Sequence, residues 1–390
     1  MKLNKVAKVQ FALFYLVIFL RIGVAANLRQ ELERDIEDGR LDRFSRIEAA
    51  FILSGAERTN ALDSLMQWHR LLIEDIELKR LVDPMKETQS AERLFLYLHT
   101  TWLKTYKKEA TTLIDIRRKQ EFNCVSATIL YNLTCDEFRL DTEGFETPSH
   151  VYTIFTNFSE NVMVENTTPM GFNIIKNLRA YSRYLSQYFP DKINLKIGLD
   201  RIYAYENSNG RRIDNTELLG LLCYNQAFFA ADQKNYAVAY DYVLLAQKFN
   251  RNSLSNEKFE INLYYKWGHN LFRQQKFFDA FEVFADATYR YEKNEDFSRN
   301  CVSAFMNALS IGFGQKNWEQ SEKIIFEMGQ LELLNSKELN IQRNIVLEWL
   351  NYYLKSKNKH LAYRVFKTFE QHYKSDRAYS SIKELIEGLK

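Results

Sequence analysis

The sequence predicts a mainly α fold with a small antiparallel sheet (α+β): a mixed N-terminal body followed by an α-solenoid of helix-pair repeats. Three observations carry this expectation. The 390 residues contain only 13 Gly and 4 Pro, fewer than the turns of an all-β sandwich or the linkers of a disordered chain require. All four prolines, Pro84, Pro148, Pro169 and Pro190, precede residue 191, so proline forbids helix nowhere beyond it. Small and apolar residues then recur through the C-terminal half at a step of 41 residues. At this length roughly two or three domains are expected. The divisions read from the chain are 1–26 as a signal peptide or N-terminal anchor, 27–200 as the first domain with its leading helices, and 201–390 as the repeat array.

Lys2, Lys5 and Lys8 precede the apolar run Phe11–Leu20, which is followed by Arg21 and by Gly23-Val-Ala-Ala26. A basic start, an apolar run and small residues before Asn27 are the pattern of a cleaved secretory segment, and the run is shorter than the about 20 apolar residues a bilayer span needs. Export to the periplasm or cell envelope is therefore expected; anchoring in the inner membrane through residues 9–26 is the alternative. Without residues 1–26, which hold four of the 53 bases and none of the 50 acids, the formal charge falls from +3 to −1. No basic surplus points to nucleic acid, and the membrane enters only through an uncleaved N-terminal segment.

Amphipathic helices are expected between about residues 28 and 118. One starts near Thr59 and turns Leu62, Leu65, Met66, His69, Leu72 and Ile73 to one side; another runs from about Ser90 through Leu94, Tyr97, Leu98 and Trp102. His69 and His99 lie on these apolar faces and read as structural. Asn123 is an N-cap for a helix that opens with Cys124 and whose apolar face is Val125, Ile129, Leu133 and Phe138. The positive end of that helix favours negative charge on a thiol in the first turn. Cys135, Cys223 and Cys301 read as small buried hydrophobes.

Past Gly144 and Pro148, Ser149–Phe155 and Asn161–Thr167 read as two strands joined by the polar turn Thr156–Glu160. Antiparallel pairing would bring His150 beside Glu165 and Asn166. A thiol at a helix start, an imidazole on one strand and a carboxylate or amide on the next supply the three roles of nucleophilic thiol chemistry. Helix-start N–H groups, that of Cys124 among them, could hold the oxyanion. No His/Cys cluster has metal-ligand spacing and no Gly-rich phosphate loop occurs, so no cofactor is expected; Asn207-Ser-Asn-Gly210-Arg-Arg reads as an ordinary turn.

In the C-terminal half Gln233-Lys-Asn-Tyr-Ala-Val-Ala239 returns as Gln275-Lys-Phe-Phe-Asp-Ala280, Gln315-Lys-Asn-Trp-Glu-Gln-Ser321 and Lys357-Asn-Lys-His-Leu-Ala362. The 41-residue step relates Ala239, Ala280, Ser321 and Ala362, and likewise Ala227, Gly268, Leu309 and Leu350. It also relates Val243, Phe284, Ile325 and Phe366, then Ala246, Ala287, Met328 and Phe369. Small residues at these spacings let two helices and the next unit approach closely, which is the logic of about four stacked helix pairs. A last helix around Ser380–Glu387 caps the stack. The pattern resembles the tetratricopeptide repeat, best at Trp267-Gly268, Ala280, Phe284 and Ala287, with a longer period and no closing proline. Such an array implies a protein or peptide partner on its concave face.

Arg117-Arg-Lys-Gln-Glu-Phe-Asn-Cys124, Glu146-Thr-Pro-Ser-His150-Val-Tyr and Val164-Glu-Asn-Thr-Thr-Pro169 together resemble the transglutaminase-like, papain-related fold. The arrangement is similar to a bacterial family that joins such a domain to C-terminal tetratricopeptide repeats. The resemblance implies that Cys124 is a nucleophile, that His150 is the catalytic histidine, and that Glu165, with Asn166 beside it, stands where the family usually has Asp. It implies cysteine-dependent hydrolysis or transfer of an amide bond; a non-catalytic repeat scaffold is the alternative.

Overall fold

The computed structural model describes residues 27–155, 162–176, 179, 181 and 210–388. The expected leader at 1–26, the turn Thr156–Glu160 and residues 207–209 lie outside the described residues. The protein is mainly helical with one small antiparallel sheet. The helices, in chain order, are α1 Leu28–Asp35, α2 Arg46–Leu53, α3 Thr59–Leu78, α4 Glu87–Thr101, α5 Leu113–Lys119, α6 Cys124–Glu137, α7 Asn215–Asp232, α8 Tyr236–Phe249, α9 Leu254–Arg273, α10 Phe277–Arg290, α11 Glu295–Gln315, α12 Trp318–Leu331, α13 Ser336–Lys355, α14 Lys359–Tyr373 and α15 Tyr379–Glu387. The strands are β1 Thr105–Tyr106, β2 Glu121–Phe122, β3 Thr142–Glu146, β4 Val151–Phe155, β5 Met163–Val164 and β6 Arg211–Ile213. Two compact units result: one holds the chain up to Ala230 together with Asp241–Asn256, the other Ala231–Tyr240 and Glu257–Lys390.

In the first unit α6 is the central element. Every residue from Val125 to Cys135 is buried, not only the expected stripe of Val125, Ile129 and Leu133. The physical reason is that this stretch has no charged side chain, and its polar ones are small and bond inside the core. Ser126 Oγ donates to the Ala110 carbonyl at 2.8 Å, Thr134 Oγ1 to the Leu130 carbonyl at 2.7 Å, and Tyr131 OH to the Ala91 carbonyl at 3.0 Å. A buried polar group with a partner costs little, whereas each buried Leu or Ile contributes about 1.5–3 kcal/mol.

The sheet lies against this helix in the order β5-β4-β3-β6, antiparallel throughout. β3 and β6 were not expected from the sequence. Gly144 is the middle residue of β3, and only three residues of β6 pair, in register Gly144↔Ile213. A side chain at 144 would have its Cβ 2.8 Å from Ile213, so Gly144 is what lets the strands close. The stretch from Arg211 read as a turn is thus an edge strand. A short parallel pairing of β1 with β2, Tyr106 opposite Phe122, fixes the chain immediately before Asn123.

The 41-residue step appears in the structure as successive helix pairs, α7/α8 through α13/α14. The first helix of each pair has 18 to 21 residues and the second 14 or 15, which is where the long period goes. All sixteen residues singled out by the step are buried. Gly268 lies against Phe284, and a Cβ there would fall 2.4 Å from the ring. The turn inside each pair places one residue in the left-handed region: Lys234, Gln275, Lys316 and Lys357, at φ 54–61°, again 41 apart. α15 follows the last pair.

Candidate functional site

Residues around Cys124 are set by hydrogen bonds that the local sequence dictates. Asn123 has extended backbone, and its Oδ1 accepts from the N–H groups of Val125 at 3.0 Å and Ser126 at 3.1 Å. Ser126 Oγ in turn accepts from the Asn123 N–H at 3.0 Å, and Asn123 Nδ2 donates to the Lys108 carbonyl at 2.9 Å. The cap therefore stops the helix at one defined residue, and Cys124 becomes its first. Cys124 is half-buried, whereas Cys135, Cys223 and Cys301 are buried and unbridged. Burial pushes the Cys223 thiol up to about 12 and those of Cys135 and Cys301 higher still, so these three are inert at neutral pH.

His150 enters from the turn that precedes β4. Its N–H donates to Thr147 Oγ1 at 3.1 Å, and its carbonyl accepts from the Thr147 N–H at 2.8 Å, which locks the residue at the strand end. The ring is fully enclosed; Nε2 stands 2.7 Å from Glu165 Oε2, and Cys124 lies near enough to the ring to favour its charged form. Burial alone would favour a neutral imidazole. The Glu165 charge, the nearby Cys124 and the Glu165 bond outweigh it and raise the affinity of the ring for its second proton.

Glu165 is itself fully buried and uses both oxygens. Oε2 meets His150, while Oε1 accepts from the Thr167 N–H at 2.9 Å and from Thr167 Oγ1 at 2.5 Å. The Glu165 N–H donates to the Gly171 carbonyl at 3.0 Å, and a Cβ on Gly171 would lie only 1.8 Å from the Glu165 carbonyl oxygen. Gly171 is thus required for the chain to fold back over the carboxylate.

Asn166 goes elsewhere. Thr153 pairs with Val164, so strand alternation puts Asn166 on the face of Thr153 and Glu165 on the opposite face, shared with His150. Asn166 Nδ2 donates to Thr153 Oγ1 at 2.8 Å and to Thr128 Oγ1 at 3.1 Å. From there a buried string continues through Asn132 Oδ1, which accepts from Thr153, to Asn215 and Asp136. Cys124, His150 and Glu165 are brought together; Asn166 is in the sheet-to-helix network behind them.

Thr167, Thr147 and Gly171 belong to the site and escaped sequence reasoning. Their only signal is that they sit within six residues of a candidate, which marks nothing until the backbone curls. His69 and His99 are buried among aromatic rings, and burial lowers both to about 4, so neither carries charge at neutral pH. Among the described residues no group of three His, Cys, Asp or Glu side chains converges as a metal site, and no helix is long and apolar enough to cross a membrane. No family model matches the chain, and no curated protein matches it.

Proposed function

We propose that the protein is an exported thiol-dependent enzyme of the transglutaminase-like class, hydrolysing or transferring an amide bond of a protein or peptide that its helix-pair repeats bind. The observation that carries the reading is the buried His150 ring, held at 2.7 Å by the Glu165 carboxylate and neighboured by the half-exposed Cys124 at the start of α6. Nucleophile, base and orienting group stand in the order this chemistry requires.

In the reaction the thiol proton has passed to His150 before the sulfur attacks the carbonyl carbon, so the ring stands as imidazolium beside the nucleophile. Glu165 holds the ring and balances the imidazolium charge. The Val125 and Ser126 N–H groups already bond Asn123, and that of Ala127 bonds the Asn123 carbonyl, so the oxyanion is assigned to the Cys124 N–H alone among the first-turn donors. Collapse breaks the C–N bond, the leaving amine takes the proton from His150, and a thioester remains on Cys124. Water, deprotonated by His150, then cleaves the C–S bond. An amine in place of water gives transfer, which requires a second binding site, so hydrolysis is the simpler reaction.

The test is alkylation of the folded protein by iodoacetamide, read at the Cys124-containing peptide. Cys124 is expected to react faster than a free peptide thiol, and Cys124→Ser is expected to abolish labelling while its unfolding midpoint stays put. A Cys124 that reacts no faster than free thiol would leave a binding scaffold as the better description.

A further inference from the structure

We infer that Thr167 is a positioning residue for the thiol site: its hydroxyl and N–H together fold the Glu165 side chain back and aim the second carboxylate oxygen at His150. The inference rests on the thiol-enzyme reading above and adds to it the device by which a glutamate serves there.

A glutamate carboxylate stands at the end of three rotatable bonds. Left free, it would wander, and a buried imidazole would lose its orienting partner. Here Oε1 is pinned from two directions by one residue, at 2.9 Å by the Thr167 N–H and at 2.5 Å by Thr167 Oγ1. With Oε1 fixed, rotation about the last side-chain bond is stopped, and Oε2 stays 2.7 Å from Nε2. The length of the side chain is absorbed by curling toward the residue two positions on. That curl needs the following chain to turn sharply, which the Gly171 N–H to Thr168 carbonyl bond and the missing Cβ at Gly171 provide. The Thr167 hydroxyl and N–H both bond Glu165 Oε1, so Thr167 acts on His150 through the carboxylate.

The hydroxyl is the part that can be removed without touching the backbone. Thr167→Val keeps the shape and the N–H, Thr167→Ala keeps only the N–H, and Thr167→Ser keeps the donor. In the full-length protein, iodoacetamide alkylation of Cys124 at neutral pH is expected to slow about tenfold in Thr167→Val and Thr167→Ala, the effect of one lost hydrogen bond to a charged group. Thr167→Ser is expected to stay within about twofold of the parent. The downfield proton resonance of the His150–Glu165 hydrogen bond is expected to move in the first two variants and hold in the third; a loss of packing alone would not follow the hydroxyl in this way. If Thr167→Val fails to fold, Thr167→Ala and Thr167→Ser still form the pair. Parent-like alkylation and an unmoved resonance in a folded Val or Ala variant would overturn the inference, as would a Ser variant as slow as they are. In the same series His150→Gln separates the two levels. If it slows alkylation while the Thr167 variants do not, only the positioning role falls; if it leaves alkylation unchanged, the thiol-enzyme reading falls and takes this one with it.

Discussion

Two buried polar networks in this molecule are built from similar parts and end differently. In the second unit the Tyr264 hydroxyl bonds both the Tyr240 hydroxyl and Asp286, Tyr291 OH donates to Glu260 Oε2 at 2.6 Å, and Arg290 stands 3.4 Å from both carboxylates. The carboxylates there face a permanent cation, and burial beside them pushes the Tyr264 and Tyr291 phenols far above their ordinary range. Neither phenol nor the guanidinium of that set gives up its proton near neutrality. In the first unit the carboxylate faces an imidazole, and the imidazole faces a sulfur that is half-exposed. Buried charge is therefore not the mark of a site. The mark is a titratable group between the charge and an accessible nucleophile.

Breaking each network should have a different consequence. His150→Gln is expected to slow Cys124 alkylation by about 10² to 10⁴, the range for a lost acid–base group, and to lower the unfolding midpoint at neutral pH, because the proton that Glu165 holds on the ring contributes stability there. Glu260→Ala in the second unit removes one of the two carboxylates that meet Arg290 and the acceptor of the half-buried Tyr291 hydroxyl. It should cost about 2–4 kcal/mol in denaturant unfolding and leave alkylation as it was. A His150 variant that reacted normally, or a Glu260 variant that lost thiol reactivity, would erase the distinction.

How far these networks could be foreseen differs as well. Asn123 beside Cys124 was legible because capping is local: two residues decide it. The repeat was legible because the same packing problem is solved several times and leaves a period, down to the buried Ala280 and Ser321. His150 beside Glu165 was legible to within one residue, since a strand pair was expected but its register was not, and only register separates Glu165 from Asn166. β6 and the Thr167 bonds were not legible. The first is three residues that pair only because distant Gly144 makes room, and the second depends on a reversal at Gly171 that no nearby pattern announces.

The two units should also respond differently to pH. His150 has its folded pKa raised from 6.5 to about 10, so between those values the folded state holds a proton that the unfolded chain has lost. Its contribution to stability is complete below pH 6.5 and declines as pH rises toward 10; in His150→Gln that decline should vanish from a urea series taken across the window. In the second unit Glu327 is raised from 4.5 to about 7 by burial and by Glu282, partly offset by Lys323. The folded state again binds the extra proton, so stability falls as pH rises from 4.5 to 7. Glu327→Gln should recover about 1–2 kcal/mol at pH 8, after discounting for a site that solvent still reaches, and nothing at pH 4. Recovery that was equal at both pH values would assign the gain to packing and not to charge.

The smallest effect belongs to the repeat itself. Lys234, Gln275, Lys316 and Lys357 each hold φ 54–61° at the same point of their unit, a conformation that costs a residue with a Cβ roughly 1 kcal/mol and glycine almost nothing. Glycine would also gain freedom in the unfolded chain, which returns part of that difference. Gln275→Gly, where the N–H of the residue bonds the Phe272 carbonyl and is kept, should therefore stabilise by about 0.5 kcal/mol. The same change at Lys316 should not, because its ammonium lies 3.9 Å from the Phe313 ring centre and 4.3 Å from that of Tyr352, and truncation forfeits both contacts. Gln275→Gly raising the urea midpoint while Lys316→Gly lowers it would show that backbone strain repeats along the array whereas the side chains that offset it do not. Equal shifts at both would make the ring contacts inconsequential.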